Sequence, residues 1–517
     1  MGRGLWLDRT ATIGAAVLAL VTLGLVALGL GVPINGGLLR FTPYATLVVA
    51  PLTVALVVVR PWYGLCLWIL LIPIMNVAQV QVFLGPEQVI LTTVFILALL
   101  LGSALRRRSE ASKGAVMQAE RTTRIIWASV AVIALLTLIS TALTPSLTRS
   151  LPIAQHGLLE PLLLLAAVLW LRPNMHQLFL LLVSMGASVA IGAGLSLTRM
   201  LLRYAQSLDQ FQAERAQLAK LVYFNVGILG DMLAMALPLL VAWLMLRHNG
   251  RYPRLTLAIA DAAIAVSVVC LYLTFSKSGW LGGIIGCAAL LIVMAHRWRV
   301  RFAVGLIAMV LISFVIPFPS FILRAISPAA ATAYGNVVNS IDSRAVSIDP
   351  GSPEGEVSVT ERVLSTKTAI RMALDHPWLG VGPGSFAAEY ANAYHVAAAT
   401  RALDSAHDFL PYVAAEFGLI VAALVALGLA AALVRASLTF LRAPPGEMRT
   451  RVVAAAVAAA IGAFIVVSTT FGVDLYRPYR TMNSDVLFAA LLVAAGIMLP
   501  RVAGEANPLN TTRPRIA

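Results

Sequence analysis

Apolar runs of about 17 to 25 residues recur along almost the whole chain, each long enough for a helix to cross the roughly 30 Å hydrocarbon layer of a bilayer. Inside that layer the backbone must satisfy its own hydrogen bonds, so runs of this length without strand-like alternation admit helices only. The expected fold class is an all-α polytopic membrane protein, with about 12–14 transmembrane helices and one large extracytoplasmic loop. Composition agrees, with 60% of residues hydrophobic and 12% charged, far below the charged share of soluble domains. The net charge of +15 does not point to nucleic acid, because the basic residues sit in short connections, where they report sidedness. Cys66, Cys270 and Cys287 all fall inside apolar runs, and no pair shares a loop. No disulfide is expected.

The first run, 11–31, follows Arg3 and Arg9. It is too long for a signal-peptide core and no small-x-small cleavage site precedes Val32 and Pro33, so a retained anchor is expected. Spans follow at 42–59, 63–83 and 88–105. The segment 106–124 then holds six basic residues against two acidic ones and belongs in the cytoplasm. Spans at 125–143, 158–171, 177–198, 224–246, 255–275, 279–295 and 302–317 alternate sides, leaving the basic connections at Arg247, His296 and 435–451 inside. After Phe318 a long hydrophilic excursion carries six basic and eight acidic residues before His407; it is expected outside. Spans at 409–434, 452–472 and 485–499 complete the chain, with both termini cytoplasmic. The organisation is thus N-terminal helices and basic loop (1–124), central helices (125–317), the large loop (318–408), C-terminal helices (409–500) and a tail (501–517). No internal repeat of domain-building length is visible.

The segment 199–221 has apolar residues at helical spacing among charges and is expected in the membrane interface. Within the excursion, 339–358 reads as irregular, 361–374 as a helix, and GVGPG at 380–384 as a sharp bend. The glycines are not a phosphate loop, since no strand precedes them and no Lys-Ser/Thr pair follows. The stretch 361–421 also gathers Arg362, Lys367, Arg371, His376, His395, His407 and Glu416. His407, beside Asp408 where the loop returns to the membrane and about two turns before Glu416, is suited to proton transfer. Its competing reading is a hydrogen-bonded structural histidine, the reading given to His376 and His395. Lys277 is one of only four lysines, and Ser276, Ser278 and Gly279 give it small polar surroundings that a phosphate can approach. Its competing reading is a snorkelling lysine at a hairpin turn.

Four acids, Glu160, Asp231, Asp261 and Glu416, fall in or beside spans, where an ionised group is costly unless paired or hydrated. Glu160, Asp231 and Glu416 map to the outer end. They either line a cavity continuous with the loop or pair with arginines such as Arg149, Arg477 and Arg480. No D-x-D or H-E-x-x-H pattern occurs, so no metal is expected. A lipid-linked glycan transporter or flippase is the main alternative to an enzyme, although such proteins show internal repeats and midplane polar sites.

Taken together, residues 225–421 resemble the O-antigen ligase and polymerase superfamily of bacterial inner-membrane glycosyltransferases. The strongest element is His407-Asp408, nine residues, then Gly418-Leu419-Ile420-Val421, similar to the family's His, small polar residue, nine positions, Gly, aliphatic. Asp408 stands where the family has Asn, Ser or Gln. HPWLGVGPGSF resembles the turn before the catalytic histidine, and Arg362 aligns with an arginine that contacts the donor diphosphate. LTFSKSGWLG resembles the family's Thr-x-Ser-Arg segment with Lys277 at the arginine position, which keeps the charge and loses the bidentate fork. The resemblance implies a multi-pass protein of the bacterial cytoplasmic membrane that moves a glycan from an undecaprenyl-diphosphate carrier to an acceptor hydroxyl on the outer side. The acceptor is a glycan, lipid or protein, so ligase and polymerase both remain open. It implies His407 as the catalytic residue, Lys277 and Arg362 on the diphosphate, support from Asp408, Glu416, Ser276 and Arg371, and no cofactor, metal or nucleic-acid partner.

Overall fold

The computed structural model describes residues 53–75, 94–105, 121–204, 226–247, 254–274, 276–294, 353–395, 406, 408–470 and 484–506. Among the described residues there are helices and no strands. In chain order the helices are α1 (Pro61–Met75), α2 (Val94–Leu105), α3 (Arg121–Leu143), α4 (Leu147–Leu171), α5 (Met175–Tyr204), α6 (Val226–Arg247) and α7 (Arg254–Thr274). They continue as α8 (Lys277–Met294), α9 (Pro353–Asp375), α10 (Phe386–Asn392), α11 (Phe409–Phe417), α12 (Leu419–Arg442), α13 (Met448–Thr470) and α14 (Ser484–Ala506). Seven of them, α3, α4, α5, α6, α12, α13 and α14, are long and apolar enough to cross a membrane, and α1, α2, α7 and α8 contain shorter apolar segments. The protein is a multi-pass, all-α membrane protein. The runs at 11–31 and 302–317, most of the basic segment 106–124, the interfacial stretch beyond Tyr204, and Arg477 and Arg480 lie outside the described residues.

The bundle is built around α6, which is apolar on every side except at Asp231 and packs against α5, α7, α8 and α13; such a helix belongs in the interior. Lipid offers no hydrophobic drive between helices, so close backbone approach through small residues does the work. A Cβ at Gly282 of α8 would lie 2.7 Å from Val467 Cγ2, and one at Gly286 would lie 3.1 Å from the Ala459 carbonyl, both on α13. The alanine-rich α13 in turn packs on α12 and α14.

Three elements differ from their sequence expectation. The span expected at 158–171 begins at Leu147 and passes through a π turn, Gln155–Leu159. Polar residues interrupt the apolar run there and pair within it: His156 Nδ1 lies 2.9 Å from Glu160 Oε2, and Gln155 Nε2 donates to Glu160 Oε1 at 3.2 Å, while His156 Nε2 is buried without a partner among the described residues. Glu160 therefore finds partners within its own helix. Next, α9 starts at Pro353, so 353–358 is helical rather than irregular; proline suits a first helical position because its missing N–H has no partner there anyway. Finally, the span expected at 409–434 is two helices, α11 and α12, separated at Gly418, whose φ of 93° and ψ of 162° no helix accepts.

Candidate functional site

The chain after α9 makes a series of tight turns in which Gly380, Gly382 and Gly384 have φ of 67°, 98° and 72°, a region glycine enters without steric cost. These turns dock on the end of α11. Val381 N–H donates to the Ala415 carbonyl at 2.7 Å, Gly382 N–H to the Glu416 carbonyl at 3.1 Å, and Leu419 N–H to the Pro377 carbonyl at 2.8 Å. The buried Glu416 side chain closes the same loop, its Oε2 accepting from Gly384 N–H at 2.9 Å and its Oε1 from Phe386 N–H at 3.2 Å. Ser140 of α3 clamps both strands of chain, its Oγ donating to the Leu379 carbonyl at 2.7 Å and the Glu416 carbonyl at 3.3 Å. Glu416 thus holds the bend rather than facing a cavity, with Arg149 beside Gly384. A Cβ on Gly418 would run into the Trp378 carbonyl oxygen, and one on Gly380 into the Ala415 carbonyl oxygen.

Asp408 occupies the N-cap position of α11, yet its side chain makes no cap bond. It accepts instead from Thr366 Oγ1 of α9 at 2.6 Å. Arg362 precedes Thr366 by one helical turn of α9. The helix that carries Arg362 is therefore fastened to the chain neighbour of His407. His407 lies outside the described residues, as do the side chains of Lys277 and Arg362. Arg371 is engaged towards the other end of α9, its guanidinium 5.7 Å from the Tyr394 ring centre. Tyr394 Oη donates to Asp375 Oδ2 at 2.9 Å. Burial, and then the Asp375 carboxylate, hold the Tyr394 hydroxyl up at about 12, so it remains a donor at neutral pH.

The second cluster surrounds the start of α8. Ser276 N–H donates to Thr274 Oγ1 at 3.2 Å, Ser276 Oγ accepts from Gly279 N–H at 3.1 Å and lies 3.0 Å from Ser278 Oγ, and Ser278 Oγ donates to Asp231 Oδ1 at 3.3 Å. These bonds fix the backbone on both sides of Lys277, at a helix N-terminus whose first N–H groups favour anions. Asp231 is buried on α6, and Asp485 of α14 is close enough to act on it electrostatically. Its described hydrogen-bond partner is Ser278, not an arginine. Asp231→Ala, which leaves the buried Ser278 hydroxyl short of its acceptor, is expected to cost about 1–3 kcal/mol of stability. Asp231→Asn, which keeps the acceptor oxygen, should cost less. Thermal unfolding of the purified variants measures both.

The two clusters share α13 as a wall. Phe464 meets Phe409, the first residue of α11, with ring centres 5.8 Å apart. One turn further along, Val467 packs on Gly282 of α8. A separate cleft of about 360 Å³ opens between the end of α3 and the glycine turns, lined by Ser140, Thr144, Asp375, His376 and Trp378 among others. It contains neither Ser276 nor Asp408.

Ser140 and Thr366 escape sequence reasoning, although a hydroxyl in an otherwise apolar run, as at Ser140, is a usable signal. No curated protein matches the chain. The family model described as O-antigen ligase matches residues 262–426, about a third of the chain, running from α7 through the Ser276–Ser278 cluster and the glycine turns to the first turns of α12. That stretch holds Ser276, Ser278, Thr366, Asp408 and Glu416 but neither Asp231 nor Ser140, and over it the chain is similar to the O-antigen ligase family.

Proposed function

We propose that the protein transfers a glycan from an undecaprenyl-diphosphate carrier to an acceptor hydroxyl on the extracytoplasmic side of a bacterial cytoplasmic membrane. One observation supports the reading: the Thr366–Asp408 bond ties the helix that bears Arg362 to the residue next to His407 in the chain, inside the stretch matched by the O-antigen ligase model. In this reading the large loop and the N-terminal ends of α8, α11 and α14 face outward, which the charge bias of the connections supports.

In this reading an imidazole nitrogen of His407 takes the proton of the acceptor hydroxyl as its oxygen attacks the anomeric carbon. The bond from that carbon to the diphosphate oxygen breaks, and the diphosphate leaves with the electron pair. Lys277 and Arg362 stabilise the charge that develops on it, where fixed cations are most effective. Ser276 and Asp231 hold the Lys277 turn, and Asp408 and Glu416 hold the elements around His407. The polyprenyl tail lies among apolar helices. The acceptor is a lipid or protein anchor, or the end of a growing chain.

The direct test is purified protein in liposomes, supplied with lipid-diphosphate-linked glycan, a chelator, and neither nucleotide nor ion gradient. Glycan appearing on the acceptor supports the proposal. Movement of intact donor across the bilayer without transfer overturns it in favour of a flippase. Lys277→Arg is expected to retain most transfer, because a diphosphate clamp needs charge and Arg supplies it with extra donors. Complete inactivity of that variant, with normal donor binding, would assign the ammonium a role other than clamping.

A further inference from the structure

Among the described residues, nothing packs against one face of α9. Val363, Lys367, Ile370, Arg371 and Leu374 are exposed, whereas Ser365, Thr368, Ala369, Met372 and Ala373 are buried. At 3.6 residues per turn these two sets lie on opposite sides of the helix. Leu374 is 64% exposed, and Trp378, just past the helix end, is 71% exposed; left in water, such side chains forgo about 1.5–3 kcal/mol each of transfer free energy. Three aliphatic side chains interleaved with two cations, with a tryptophan at the end, form the pattern of a helix lying in a membrane interface.

Its height relative to the bundle is also fixed. The Pro377 carbonyl accepts the N–H of Leu419, the first residue of the membrane-crossing α12, and Leu419 and Ile420 are themselves exposed. Trp378 therefore stands level with the point where α12 meets the bilayer, the depth at which tryptophan is enriched. Tyr394 Oη donates to the Asp375 carboxylate and Arg371 lies over the Tyr394 ring; among the described residues no ion pair joins Lys367 or Arg371 to an acid.

We infer that this face of α9 rests on anionic phospholipid in the leaflet that the start of α12 faces. Val363, Ile370, Leu374 and Trp378 sit at the boundary of the acyl chains, and Lys367 and Arg371 lie among the headgroup phosphates. The inference does not depend on glycan transfer, and of these residues only Arg371 and Trp378 appear in the site above.

The test uses the full-length protein in vesicles of phosphatidylcholine with and without phosphatidylglycerol. Cysteines introduced at Ile370 and Leu374, in separate variants, carry an environment-sensitive fluorophore; Cys66, Cys270 and Cys287 are buried. Both probes are expected to be quenched by nitroxide placed near the headgroup end of a lipid chain, and to be protected from aqueous iodide relative to a probe at Glu447 in the α12–α13 connection. Iodide quenching equal to that at Glu447 overturns the inference. So does protection from both quenchers, which would mean that another part of the chain covers the face. Lys367→Gln with Arg371→Gln is expected to reduce the preference for phosphatidylglycerol in co-purified lipid by about fivefold for each cation lost; an unchanged preference removes the anionic partner.

Discussion

His407→Ala is expected to lower the rate of glycan transfer by about 10²- to 10⁴-fold, the usual contribution of a positioned general base, with protein level and membrane insertion unchanged. An acceptor hydroxyl is a poor nucleophile until its proton has somewhere to go. An imidazole, with an ordinary pKa of about 6.5, is the side chain best matched to receiving that proton near neutral pH. The loss should fall on turnover rather than on donor binding, because the cations proposed to hold the diphosphate, Lys277 and Arg362, lie on α8 and α9. Initial rates and donor binding measured on the same preparation separate the two. Transfer within a factor of a few of wild type would remove His407 from the chemistry.

Gly418→Ala should destabilise the protein by about 3 kcal/mol or more, because two costs add. The first is conformational: φ of 93° with ψ of 162° lies in a region that is essentially confined to glycine. The second is a collision, since an added Cβ meets the Trp378 carbonyl oxygen, a backbone atom that cannot swing away. Relief requires the HPWLGVGPG segment to lift off the end of α11, which breaks the bonds made there by Val381, Gly382 and Leu419. The variant is therefore expected to lose both thermal stability and transfer. Gly428→Ala is the control, because a Cβ there meets nothing within 4 Å. A Gly418→Ala protein with the melting temperature of the control would show that the turn is not held as described.

The helices were legible because the bilayer imposes a length on each apolar run, and α6, α7, α8 and α13 begin and end within a few residues of the sequence reading. The bend at 380–384 was legible for a local reason, three glycines and a proline in five residues. What the sequence hides is set by contacts between distant residues. Ser140 reaches Glu416 across 276 positions, and Thr366 reaches Asp408 across 42, so neither leaves a trace in spacing. The break at Gly418 is hidden for a related reason: a single glycine in an apolar run reads as a tolerated helix residue until its partner, the Trp378 carbonyl, is known. Glu416 reads as an acid that lines a cavity or pairs with an arginine until the two backbone N–H groups on it are seen. The lipid-facing side of α9 is masked by its low overall hydrophobicity, since the apolar face is diluted by serines, threonines and charges on the others.

The account rests on His407, Lys277 and Arg362 meeting at one rim of the bundle. Cysteines placed pairwise at 277 and 407 in a Cys270→Ala background, treated with a short bifunctional thiol reagent, test this most directly. The expected result is an intramolecular link between the two positions that is absent from either single variant and is blocked by bound lipid-diphosphate donor. Full labelling of both positions by a monofunctional reagent with no link between them would contradict it.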